Sequence, residues 1–159
     1  MNFSTKNNDH HKTSINMVSK TINWKNAILA GIIGTILFDL VGLAFTGKWW
    51  DIPGILGAKT GLGLAYGVIG HYSNGILLSI LFAGIAPSLW GPKWFRPLLF
   101  VVGETIALVW LFMLPLLGAG VAGLDMSPMM PVITLVSHLV YAIPLIFLIQ
   151  YDIKAIIAK

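Results

Sequence analysis

Ala30-Gly31-Ile32-Ile33-Gly34-Thr35-Ile36-Leu37-Phe38-Asp39-Leu40-Val41-Gly42 is the stretch that decides how this chain folds. It lies inside an apolar run from Asn26 to Gly47, about 20 residues, the length a helix needs to cross ~30 Å of hydrocarbon. Gly31, Thr35, Asp39 and Gly42 follow one another at helical spacing and share a face. Small residues let membrane helices approach closely, which places Asp39 on a packed face and away from lipid. Trp24 and Lys25 precede the run, an amphipathic ring and a snorkelling ammonium suited to the membrane–water interface.

Three further runs repeat the pattern: Gly67–Trp90, Pro97–Gly120 and Pro131–Gln150. Each carries one ionisable residue or more inside apolar sequence: His71, Glu104 and His138 respectively. Composition agrees with this reading. Of 159 residues, 57% are hydrophobic and 10% charged, and mean hydropathy is +0.84. A soluble domain of this size carries about 25% charged residues. The expected fold is all-α, a four-transmembrane-helix antiparallel bundle with both termini cytoplasmic.

Orientation rests on where the basic residues fall. With a cytoplasmic N-terminus, Lys6, Lys12, Lys20, Lys25, Lys93, Arg96, Lys154 and Lys159 lie inside and only Lys48 and Lys59 outside, a strong positive-inside bias. That bias assigns the net charge of +4 to topology, and no nucleic-acid partner is expected. The location expected is a cytoplasmic (inner) membrane, crossed several times. Residues 1–23 are polar and read as a disordered cytoplasmic tail, 24–152 as the membrane domain, and 153–159 as a short basic tail. The N-terminal stretch is too long and polar for a signal-peptide n-region, so the first span should remain as an anchor. The histidine pair His10–His11 in this tail reads as solvated.

The connections are informative too. Trp49, Trp50 and the Pro53-Gly54 turn mark the outer interface. Residues 55–66 are too short for a span and read as an interfacial helix or an early extension of span two. Gly67, His71, Gly75 and Ser79 form a small, polar stripe on that span, with Asn74 alongside. Lys93–Pro97 makes a short inner loop, which demands neighbouring helices. Pro144 should kink span four by removing the bond to the Val140 carbonyl.

Depth decides which ionisable groups meet. Counting 1.5 Å per residue, Asp39 and His138 lie ~10 Å and His71 ~6 Å below the outer boundary. These three are expected to cluster, with Asn74, Thr134, Ser137 and Tyr141 completing hydrogen bonds. Glu104 enters from the opposite side, ~10 Å above the inner boundary, and reads as a separate intramembrane carboxyl. Two imidazoles and a carboxylate suit zinc, iron or copper, and carboxylate–histidine pairing also tunes a proton carrier. A haem b held between His71 and His138 is the sharpest form of the metal reading. Copper is another, with Met126, Met129 and Met130 in the outer loop. The bland alternative is a hydrogen-bonded polar cluster that fixes helix register. Cysteine is absent, which removes disulfides, thiolate metal sites and thiol catalysis. No nucleophile–base set or phosphate-binding loop stands out, so catalysis has little support.

The segments Trp24–Thr35, Asp51–Gly57, Gly70-His71 and Ser137-His138-Leu139-Val140-Tyr141 resemble those of small uncharacterised bacterial four-span integral membrane proteins. That group has a histidine opening the second span and a His-Leu-Val-Tyr-Gly segment in the fourth; here Ala142 follows Tyr141. The resemblance implies a bacterial-type cytoplasmic membrane, a four-helix fold and a role for His71 and His138, and carries no activity with it. Three classes stay open: a metal- or haem-binding module, a proton- or ion-coupled transporter or channel component, and a non-catalytic structural partner. Beyond the lipid bilayer, the partners considered are a second copy of the chain or another membrane protein.

Overall fold

The computed structural model describes residues 22–151, and these are helical or loop with no strand. The N-terminal tail with His10, His11 and three lysines, and the C-terminal tail with Lys154 and Lys159, lie outside the described residues. Four helices are long and apolar enough to cross a membrane: α1 (Trp24–Thr46), α3 (Gly63–Ser88, its last turn 3-10), α4 (Phe95–Leu116) and α5 (Met130–Leu148). A short helix, α2 (Asp51–Thr60), stands between α1 and α3. The chain is a multi-pass membrane protein by this measure.

The distribution of polarity inverts that of a soluble protein. Ile69, Leu116 and Phe147 are about two-thirds or more exposed, while Thr35, Asp39, Ser79, Arg96, Glu104, Thr105, Thr134, Ser137 and His138 are buried. Outward apolar side chains suit lipid, where backbone and side-chain polar groups must find partners within the protein.

α1 packs against both α3 and α5. The predicted small-residue stripes carry these contacts. Gly31 faces the α3 backbone so closely that a Cβ there would stand 2.6 Å from Ile76 Cα. Thr35 fills the space beside Gly75, and the Ser79 hydroxyl donates to the Ala27 carbonyl at 2.6 Å. On the α5 side, Gly34 lies under the Tyr141 ring, and the Tyr141 hydroxyl reaches across to the Gly75 carbonyl. One tyrosine thus ties α5 to α3 over the glycine face of α1. The core below contains Phe38, Leu78, Phe82, Phe100, Val101, Tyr141 and Leu145.

Residues 51–60 form a discrete helix and span two begins at Gly63, four residues before the sequence-based boundary. α2 folds back along the start of α3, with the Pro53 carbonyl against Gly67 and the Gly63 carbonyl against Gly57. Any side chain at Gly57 or Gly67 would meet backbone atoms there.

α4 is held differently. It packs chiefly on α5 and meets α3 near one end, where Phe82 and Phe100 stand 5.4 Å apart between ring centroids. Arg96, placed by sequence in the short inner loop, is the second residue of α4 and buried at that end. Its Nε donates to the Gly91 carbonyl at 2.8 Å, and its Nη1 to those of Ala86 (2.8 Å) and Pro87 (3.2 Å). It bonds two carbonyls of the last turn of α3, Ala86 and Pro87, of which Ala86 also accepts from Leu89 N, and one in the following loop, Gly91. Its guanidinium also lies over the Tyr151 ring, 5.6 Å from the centroid. Past Glu104 the helix widens into a π-helical stretch, Thr105–Met113, before Pro115. Such stretches are rare and often accompany functional sites. α5 runs through Pro144 without interruption from Met130 to Leu148.

Candidate functional site

α3 and α4 part beyond their contact at Phe82–Phe100, and a cavity of about 820 Å³ opens between them, with α1 and α5 behind. Its walls are mostly apolar and include Phe38, Leu56, Leu108 and Phe112; His71, Asn74, Glu104, Thr134, His138 and Tyr141 supply the polar lining. The volume lies within the range of small-molecule pockets.

The four intramembrane ionisable residues form two pairs. In the first, His71 Nε2 lies 3.0 Å from Asp39 Oδ1, and the Tyr72 hydroxyl donates to Asp39 Oδ2 at 3.2 Å. A carboxylate accepts, so the Nε2–H of His71 donates to it. Asp39 is buried behind this histidine and faces a second void of about 20 Å³, shared with Ser137, Thr46 and Asp51. That space admits about one water. Ser137 Oγ is buried and has no hydrogen-bond partner among the described residues.

In the second pair, His138 Nε2 lies 3.4 Å from Glu104 Oε2, with both side chains nearly buried. The distance is close enough for an ion pair but long for a hydrogen bond, and Oε2 has no hydrogen-bond partner among the described residues. The other nitrogen fixes the tautomer. His138 Nδ1 is 2.7 Å from the Thr134 carbonyl oxygen; a carbonyl only accepts, so Nδ1 carries hydrogen and donates. In a neutral imidazole this leaves Nε2 bare and facing Glu104. A bare nitrogen and an ionised carboxylate would then oppose each other as two acceptors. One proton on either atom turns that opposition into a donor–acceptor contact. Thr134 is held in turn: Trp110 Nε1 donates to its hydroxyl at 2.9 Å, and that hydroxyl donates to the Met130 carbonyl at 2.9 Å. The π-helical part of α4 is thereby fastened to α5 one turn from His138.

This arrangement differs from a shared three-residue cluster. Asp39 and His71 meet as expected, but His138 pairs with Glu104, which sequence depth had set apart. The difference has a physical source. Depth counted from loop ends assumes upright helices that start where the apolar run starts, whereas α4 begins at Phe95, two residues before Pro97, which carries Glu104 ~3 Å deeper. Phe38 contacts both imidazoles in T-shaped geometry, at 5.3 Å from His71 and 4.9 Å from His138.

These donors do not fit the metal readings. Among the described residues, no three of His, Cys, Asp and Glu converge to hold a metal ion. Both Nε2 atoms face carboxylates, and Phe38 contacts both rings, so the histidines do not present nitrogens to one haem iron. Of the loop methionines, Met129 is exposed, Met130 packs in a small core with Leu114 and Ala119, and Met126 lines the cavity rim.

Asn74, Thr134 and Tyr141 line the cavity, while Ser137 faces the smaller void. Two participants escaped the sequence reading, Tyr72 and Trp110. Neither stands out in sequence, because only the opposing helix supplies the acceptor, Asp39 for Tyr72 and Thr134 for Trp110, that gives it a role. The chain matches no protein-family model, and comparison with curated proteins and with solved structures finds no match.

Proposed function

We propose that this chain binds a small molecule in its membrane-embedded cavity in step with one proton held between Glu104 and His138, as a proton-coupled transporter or a component of one. The supporting observation is the pairing itself. Thr134 leaves His138 Nε2 facing Glu104 Oε2 at 3.4 Å on the cavity wall, a geometry that calls for one shared proton. Ionisable residues inside a membrane are expensive and mark pathways for ions or protons. In this reading Asp39 positions His71, its negative charge and acceptor oxygens holding the imidazole toward the cavity. The basic-residue bias supports cytoplasmic termini, antiparallel neighbours and a cytoplasmic membrane.

Infrared difference spectra between acidic and alkaline pH test the proton's location. The expected result is a protonated-carboxyl stretch that titrates in the natural protein and disappears in Glu104→Gln. Superimposable spectra from the two proteins would overturn the assignment.

A further inference from the structure

We infer that the Glu104–His138 pair exchanges its proton for the primary ammonium group of an amine whose apolar body occupies the cavity. This rests on the proton-sharing reading above and names the ligand class.

Once the shared proton leaves, the pair presents two bare acceptors, Glu104 Oε2 and His138 Nε2, to one cavity. Glu104 is 8% exposed and its Oε2 is without a hydrogen-bond partner among the described residues. A buried carboxylate in this state demands a positive charge and a donor together. An R–NH3+ group supplies both, with one N–H to Oε2 and a second to Nε2. With N···acceptor distances of ~2.9 Å and tetrahedral N–H directions, the acceptors must part by roughly 1 Å from their present 3.4 Å. The Glu104 side chain can make that adjustment into the cavity.

The exchange balances. Pair plus proton is neutral; the deprotonated pair carries one negative charge, and the ammonium restores neutrality. No covalent bond changes, and one proton leaves for each amine bound. An alcohol or amide lacks the charge, and a trimethylammonium lacks the N–H donors. Phe38, Leu108, Phe112 and Tyr141 offer apolar and aromatic surface for the ligand's body, and aromatic faces attract cations.

The other titratable or charged groups facing this region are Asp39 on α1, His71 and Tyr72 on α3, Tyr141 on α5 and Lys59 on α2. Asp39 is already engaged by His71 and Tyr72, whereas Lys59 is exposed at the cavity rim and can turn its ammonium to solvent. Glu104 is therefore the carboxylate open to the ligand.

Calorimetry in lipid nanodiscs tests this with 2-phenylethylamine and its N,N,N-trimethyl counterpart, in two buffers of different ionisation enthalpy. The primary amine should bind with release of up to one proton. Its affinity should fall about tenfold per pH unit once the pair is protonated, because proton and ammonium compete for one place. The trimethyl compound should bind at least tenfold more weakly. Glu104→Gln should abolish amine binding. Leu108→Trp, which adds bulk to the cavity wall one turn from Glu104 and keeps both members of the pair, should weaken it while leaving the Glu104 infrared band intact. Equal binding of the trimethyl compound, no proton release, or undiminished binding by either variant would overturn the inference. Absence of amine binding with the titrating Glu104 band present overturns the ligand assignment alone. Absence of the band overturns the proton-sharing reading beneath it.

Discussion

Replacing Gly31 with alanine should separate α1 and α3, which meet backbone to backbone there, and Gly42→Ala on the same helix supplies a matched control. A Cβ at Gly31 would stand 2.6 Å from Ile76 Cα, 2.9 Å from the Gly75 carbonyl oxygen and 3.0 Å from Ile76 N. All three are backbone atoms of α3, so no side-chain rotation relieves the overlap. Restoring ordinary contact near 3.4 Å requires α1 and α3 to part by roughly 0.8 Å. Overpacking of this kind costs typically about 1–3 kcal/mol. Alanine also favours a helix over glycine by ~1 kcal/mol, which offsets part of that cost. At Gly42 nothing lies within 4 Å of the added methyl, so only the helix term acts there. The difference between the two variants cancels that term and isolates the clash. Gly31→Ala should thus be less stable than Gly42→Ala by about 1–3 kcal/mol. Unfolding by SDS in mixed micelles, followed by tryptophan fluorescence, measures the difference. Equal stability would refute the close α1–α3 approach, and with it the contact that brings Asp39 to His71.

Double-mutant cycles for Asp39 with His71 and for Glu104 with His138 should each show coupling above about 0.5 kcal/mol, while Asp39 with His138 should be nearly additive. A strong cross-pair term would favour one shared cluster. Arg96→Lys should destabilise by about 1–3 kcal/mol, because an ammonium cannot reproduce the fork that serves three carbonyls; a neutral result in the same SDS titration would show those carbonyls to be satisfied otherwise. Tyr72→Phe should cost about 0.6 kcal/mol, the average for an interhelical polar contact in a membrane, and a loss of several kcal/mol would place Tyr72 at the centre of the site. Since the chain contains no cysteine, single cysteines at Lys48 and Lys93 report orientation directly. An impermeant maleimide added outside intact cells should label the first and spare the second, and the opposite result would invert the topology.

The helices and their small-residue faces were legible because they depend on short-range order. A stripe such as Gly67, His71, Gly75 and Ser79 needs only helical periodicity, and it packs against α1 and α2. The Asp39–His71 contact was legible because both residues fall in the outer third, at ~10 and ~6 Å depth, on consecutive spans. Glu104 was misplaced because its depth depends on where α4 starts, at Phe95 and ahead of Pro97, and on how α4 leans on α5, neither of which apolar periodicity encodes. Arg96 was read as a loop charge because the carbonyls it serves are exposed only by the way α3 ends at Ala86–Ser88. Tyr72 illustrates the same limit: a hydroxyl has no role until another helix places an acceptor beside it.

In the proposed reading, the parting of α3 and α4 sets the medium from which ligands reach the cavity. The cavity lies between two helices that carry exposed apolar side chains, so a molecule dissolved in the bilayer would reach it sideways, past α3 and α4. Occupancy then follows the concentration within the membrane, which for an amphiphile far exceeds that in water. A modest intrinsic affinity is sufficient under those conditions. Discrimination falls to the polar end of the cavity, because every apolar competitor, lipid tails included, is already present in excess.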